Sequence, residues 1–117
     1  MNAARQPAGK ANDPRLIEHL RRREAKRAEE AAADLREVLS TEGGRRFVWR
    51  LLGDSGIFRT SFTGNSETFF REGERNVGLK VFNAIHQVCP DLYLVMQREA
   101  AERAERDAAE DRSVTKD

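Results

Sequence analysis

Between Asn65 and Val88 the apolar residues return at helical spacing. Phe70, Gly73, Val77, Val81, Ile85 and Val88 fall on one face, and Phe69, Leu79 and Phe82 widen it. A face that broad calls for burial, so the segment predicts a central, mostly buried helix over Ser66–Val88 in an all-α domain. Asn65 or Ser66 supplies its N-cap. Cys89-Pro90 ends it, because proline lacks an amide hydrogen and restrains the residue before it. Pro90 then suits the first turn of a further helix, predicted over Pro90–Asp111 and anchored by Leu92, Tyr93, Val95 and Met96. Gly73 and Gly78 each weaken the central helix by about 1 kcal/mol relative to alanine. The expected compensation is close approach of another backbone or a bulky ring, so both are assigned as helix-packing positions.

Upstream, Asp13-Pro14 reads as an N-cap followed by proline at the first helical position. The helix it opens is predicted to run from Pro14 to about Leu39. Its first half has only Leu16, Ile17 and Leu20 as large apolar residues. Its second half turns Ala28, Ala31, Leu35, Val38 and Leu39 to one side. Ser40 and Thr41 are caps for the next helix, Glu42–Leu52, whose buried face is read as Phe47, Val48, Leu51 and Leu52. Gly43-Gly44 weakens its start and Gly53 is its expected C-cap. The linker Asp54–Gly64 carries Ile57, Phe58 and Phe62, too apolar for a solvated loop, and is expected to fold back onto the helices.

The 117 residues suit one small domain. The predicted organisation is a disordered arm over residues 1–13, one helical domain over 14–111 with its compact core at about 35–96, and a disordered tail over 112–117. Formal net charge is +1, so no global field favours nucleic acid or membrane. The only cysteine, Cys89, excludes an internal disulfide. The first residues lack the apolar segment of a secretory signal, and no apolar run approaches the roughly 20 residues that span a bilayer.

No residue set carries recognisable catalytic or cofactor chemistry, and a non-enzymatic role with no small-molecule substrate is expected. His19 and His86 lack ligand partners at metal spacing, and His86 with Cys89 makes an incomplete set. Their plain reading is a surface histidine and a small apolar cysteine. Ser55, Ser61 and Ser66 lack the strand–turn–helix setting of a nucleophile elbow. Glu67, Glu72 and Glu74 read as ion-pair partners of Arg59, Arg71 and Arg75. Two basic clusters stand out: Arg21 to Arg27, with acids close behind, and Arg45, Arg46, Arg50 and Arg59 beside Trp49. Arginines flanked by aromatics can contact phosphates and stack bases, which makes the second cluster an alternative nucleic-acid site.

The block Gly44-Arg45-Arg46-Phe47-Val48-Trp49-Arg50-Leu51-Leu52, then Gly56-Ile57-Phe58-Arg59, then Phe62-Thr63-Gly64-Asn65-Ser66-Glu67-Thr68-Phe69-Phe70-Arg71-Glu72-Gly73-Glu74-Arg75-Asn76-Val77-Gly78-Leu79 resembles a family of small proteins of short-tailed bacteriophages. Their genes typically lie among those for virion and morphogenesis proteins. The resemblance implies a virion or assembly protein acting through protein–protein contacts, at the portal and tail or among internal proteins. It implies a multi-copy oligomer with other virion proteins as partners, in the particle and, during assembly, in the host cytoplasm. Trp49, Phe58, Arg59, Phe62 and Phe69 are then the candidate anchors, since buried aromatics and arginines dominate such interfaces. The alternative is an accessory protein that contacts DNA during packaging or host takeover.

Overall fold

The computed structural model describes residues 12–59 and 66–116, and for residues 66–69 the backbone alone. Among the described residues it contains four helices and no strand: α1 (Pro14–Val38), α2 (Glu42–Asp54), α3 (Ser66–Val88) and α4 (Pro90–Thr115). The fold is all-α, as the spacing predicts. The arm expected over residues 1–13 falls almost wholly outside the described residues.

The chain divides into two units at Asp34/Leu35. In the first, Asp13 caps α1. Its Oδ1 accepts the Arg15 amide hydrogen at 2.9 Å, and its Oδ2 accepts from the Arg15 guanidinium at 3.1 Å. The guanidinium bond, then the amide bond, hold the Asp13 carboxyl below its usual range. Glu18 accepts from Arg21 at 2.6 Å and from Arg22 at 3.1 Å. No residue of α1 is buried, and Leu16, Ile17 and Leu20 face solvent.

The second unit, Leu35–Asp117, holds the core. Leu39, Val48, Leu52, Ile85, Cys89, Tyr93 and Met96 are buried, with Leu35, Trp49, Ile57, Val81, Phe82, Val88 and Leu92 packed around them. Helices α2, α3 and α4 all pack against one another. Only part of each predicted apolar face turns inward. On α2, Val48 and Leu52 are buried while Phe47 and Leu51 are exposed. On α3, Ile85 is buried, and Phe70 and Val77 are exposed, so the stretch 70–77 of this helix is less buried than its sequence implies. A three-helix core of this size covers one stripe of each helix, and broad faces overhang it.

The turns explain the chain's changes of direction. After α1, the Leu39 amide bonds to the Leu35 carbonyl at 3.0 Å, and Thr41 caps α2 by accepting the Gly44 amide hydrogen at 3.0 Å. A Cβ at Gly44 would overlap the Val38 carbonyl oxygen, so the glycine that weakens the helix on propensity is what lets α2 start there. α2 runs past Gly53 to Asp54, with Ser55 as C-cap. The left-handed residue is Gly56, at φ 81°. Its amide bonds to the Gly53 carbonyl at 3.1 Å, the inner bond of the two that a Schellman closure makes. Ser55, Gly56 and Ile57 belong to the turn, and Ile57 packs against the core, while Phe62 lies outside the described residues. At the other junction the Cys89 amide bonds to Ile85 at 2.8 Å before Pro90 opens α4.

α4 continues beyond Asp111 to Thr115. The Thr115 hydroxyl donates to the Asp111 carbonyl at 3.2 Å, and Arg112 pairs with Glu105 at 3.1 Å. The tail predicted from residue 112 is therefore helical for most of its length. Nothing from Arg112 to Thr115 breaks a helix, and the Glu/Arg ladder carries on into it.

Candidate functional site

The side chains with most capacity for recognition form a continuous aromatic ridge in the second unit. Trp49, on α2 and half-buried, contacts Phe58 and Tyr93, each with ring centroids 5.8 Å away. Tyr93, on α4, meets the edge of Phe82 at 5.3 Å and lies 4.5 Å from His86. Phe82 and His86, on α3, stack at 4.2 Å. Each core helix thus contributes rings to one seam, and offset or tilted packing of this kind adds to simple burial. The Gly56 turn sends Ile57 inward and lays Phe58 on Trp49. Phe58 is nevertheless 54% exposed, and Arg59 beside it is exposed.

The ridge is graded from dry to wet. Burial pushes the Tyr93 hydroxyl and the Cys89 thiol up, so neither is poised as a nucleophile at neutral pH. His86 Nδ1 lies 2.8 Å from the Phe82 carbonyl. Because a carbonyl only accepts, Nδ1 carries the proton and donates, leaving Nε2 as the other face of the ring. His86 is a surface residue and Cys89 a buried one, and among the described residues no three His, Cys, Asp or Glu side chains gather as a metal site.

The predicted residues fare differently. Trp49, Phe58 and Arg59 come together at one end of the ridge. Phe62 lies outside the described residues, and Phe69 is described only as helical backbone. Arg45 does not belong to an exposed basic patch. Its Nε and Nη2 each donate to Glu99 at 2.9 Å, and its Nη1 donates to the Leu39 carbonyl at 3.1 Å. With side-chain exposures of 15% and 13%, this fork ties α2 to α4. Arg46 reaches Glu42 at 4.0 Å, and the Arg50 guanidinium sits 5.9 Å from the centre of the Phe47 ring. The cluster expected of Arg45, Arg46, Arg50 and Arg59 therefore lacks its most securely held member, which is spent on structure.

Gly78 is buried, and a Cβ there would overlap Ser55 Oγ and lie 2.5 Å from Ser55 Cβ and 2.8 Å from Ile57 Cγ2. At Gly73 a Cβ meets nothing within 4 Å among the described residues, so the close approach expected there has no counterpart among them. Beside Gly78 lies a groove between α2 and α3 that the sequence did not announce. It has a volume of about 270 Å³ and is lined by Leu51, Leu52, Val77, Val81 and Gly78, with Asp54, Ser55 and Glu74 at its polar edge.

The Arg45–Glu99 fork gives a pH-dependent prediction. Hydrogen bonds from Arg45 hold the Glu99 carboxyl below the ordinary glutamate value of 4.5. A carboxylate with a depressed folded-state value adds stability above its unfolded value and loses it as pH falls through the folded one. Glu99→Gln is therefore expected to lose about 1–2 kcal/mol at neutral pH. The difference from the parent should shrink as pH drops below the ordinary glutamate range. Urea melts at several pH values measure this, and a gap that stays constant down to strongly acidic pH would show that the ionised pair is not what is lost.

No described helix is long and apolar enough to cross a membrane. The model of a family described as "Bbp19-like phage protein" matches residues 35–98. That span starts with the second unit and includes α2, α3 and the anchored first part of α4. No curated protein and no solved structure matches the chain.

Proposed function

Given that the chain belongs to the Bbp19-like phage protein family, we propose that it is a virion or assembly protein of a short-tailed bacteriophage. In this reading it works by protein–protein contact, at the portal and tail or among internal virion proteins, and catalyses no reaction. The observation that carries the proposal is the Phe58 end of the ridge. An exposed phenylalanine is seated on Trp49, which is itself braced by Tyr93, with an exposed arginine next to it. A ring held in place before binding loses little entropy on binding, and aromatic and arginine side chains are the usual energetic centres of interfaces.

Purified particles and assembly intermediates should contain the protein by mass spectrometry. Phe58→Ala should reduce its incorporation at least tenfold with little change in its melting temperature, since the ring is half in solvent. Loss of incorporation only in parallel with loss of folding would remove Phe58 as an anchor. DNA contact is the less favoured reading, because Arg45 is committed to Glu99 and Leu39. It requires binding that falls steeply with salt and is lost when Arg46, Arg50 and Arg59 are replaced.

A further inference from the structure

The α2/α3 groove and the first half of α1 are complementary in charge, and each exposes apolar side chains. The groove is apolar at its base and edges, with Leu51 45% and Val77 61% exposed. Its charged rim residues, Asp54 and Glu74, are both acidic, both exposed, and form no ion pair among the described residues. On α1, Leu16, Leu20, Arg23 and Arg27 follow one another down a single helical face, with Ile17 beside Leu20. Arg23 and Arg27 likewise form no ion pair among the described residues, whereas Arg21 and Arg22 are engaged by Glu18. A helix with one narrow apolar stripe and no buried residue is stable in water chiefly when that stripe is covered.

We propose that the groove is the docking site for α1 of a second copy of this chain. Leu16, Ile17 and Leu20 enter between Leu51 and Val77, and Arg23 and Arg27 meet Asp54 and Glu74. The donating and accepting surfaces are different parts of the molecule, so the contact is heterologous. Repetition of such a contact gives a closed ring or an open filament rather than a two-fold dimer. The contact rests on the assembly reading above and specifies how copies would join.

The test uses the full chain in sedimentation velocity across a range of concentrations. The parent is expected to associate beyond a dimer. Ile17→Glu/Leu20→Glu, which spoils the stripe, and Val77→Glu, which spoils the groove, should each sediment as monomers with unchanged helical circular dichroism. Mixed in equal amounts they should form a dimer and nothing larger, because one variant keeps a working groove and the other a working α1. If Val77→Glu fails to fold, Asp54→Lys/Glu74→Lys takes its place. That pair should weaken association at least tenfold and be rescued by Arg23→Glu/Arg27→Glu.

A parent that stays monomeric at 100 μM overturns the proposal, as do variants that associate like the parent. Monomeric variants that give no dimer on mixing overturn it too, since the groove would then take a different occupant. A monomeric parent that is nevertheless present in particles defeats this docking mode while the assembly reading stands. Complementation by a protein absent from particles and intermediates does the reverse.

Discussion

Gly78→Ala and Gly73→Ala, less than two turns apart on α3, are expected to move the melting temperature in opposite directions. On propensity alone each change favours the helix by about 1 kcal/mol. At Gly73 nothing among the described residues opposes that gain, since a Cβ there meets no atom of theirs within 4 Å. At Gly78 the new methyl would collide with the turn that follows α2. Ser55 Oγ can rotate away, but Ser55 Cβ at 2.5 Å is fixed to the backbone, and Ile57 Cγ2 at 2.8 Å belongs to a side chain packed on the core. Relief requires α3 to separate from the turn, which loosens Ile57 and disturbs the bond from the Ser55 hydroxyl to the Leu52 carbonyl at 2.7 Å. Overpacking of this kind costs about 1–3 kcal/mol and occasionally more, so the net change is a loss of stability. For a domain of this size that is a fall of several degrees, against a rise of similar or smaller size for Gly73→Ala. Thermal melts of the two variants are sufficient. A Gly78→Ala protein at least as stable as the parent would mean that the turn yields freely and that the groove beside it is soft.

These glycines show how far local sequence reaches. Both stand at apolar-stripe positions of α3, and nothing within the helix tells them apart. The difference lies in Ser55 and Ile57, which arrive from another element. The same limit governs the end of α2. Gly53 and Gly56 are both acceptable terminators, and the choice of Gly56 follows from where Ile57 must go. The bounds of α3 were legible because both ends carry strong local signals, a capping residue at one and Cys89-Pro90 at the other. Arg45 read as one more cation in a basic cluster because its partner, Glu99, lies on a helix far along the chain. Trp49, Phe58 and Arg59 stood out as candidates by residue type, but that Tyr93 braces Trp49 depends on how α4 docks. The groove was not legible at all, since it results from a glycine letting two helices approach while the leucine and valine at its edges overhang the core.

Gly44→Ala is expected to be the most damaging methyl addition among the described glycines, and Gly43→Ala next to it harmless or stabilising. At Gly43 the nearest atom to a new Cβ is Arg46 Nη2 at 3.8 Å, ordinary contact with the end of a mobile side chain. At Gly44 the Cβ would overlap the Val38 carbonyl oxygen, lie 2.9 Å from the Val38 carbonyl carbon and press on Thr41 Oγ1 at 3.1 Å. Two of these three are main-chain atoms at the end of α1, so no rotamer change clears them. The third is the hydroxyl that caps α2 through the Gly44 amide, so any shift also lengthens the capping bond. Overpacking at about 1–3 kcal/mol and a weakened cap at about 1 kcal/mol act together and outweigh the propensity gain. The damage should spread beyond the turn. Leu39, fully buried, sits between Val38 and the cap, and its carbonyl receives Arg45 Nη1, so displacing the turn strains the Arg45–Glu99 fork as well. Gly44→Ala and Glu99→Gln should consequently be less than additive when combined, because each removes part of what the other depends on. Urea denaturation of the two single variants and the double variant measures this. Strict additivity would separate the turn from the fork, and a Gly44→Ala protein as stable as the parent would show that the approach of Val38 to α2 is not needed for the fold.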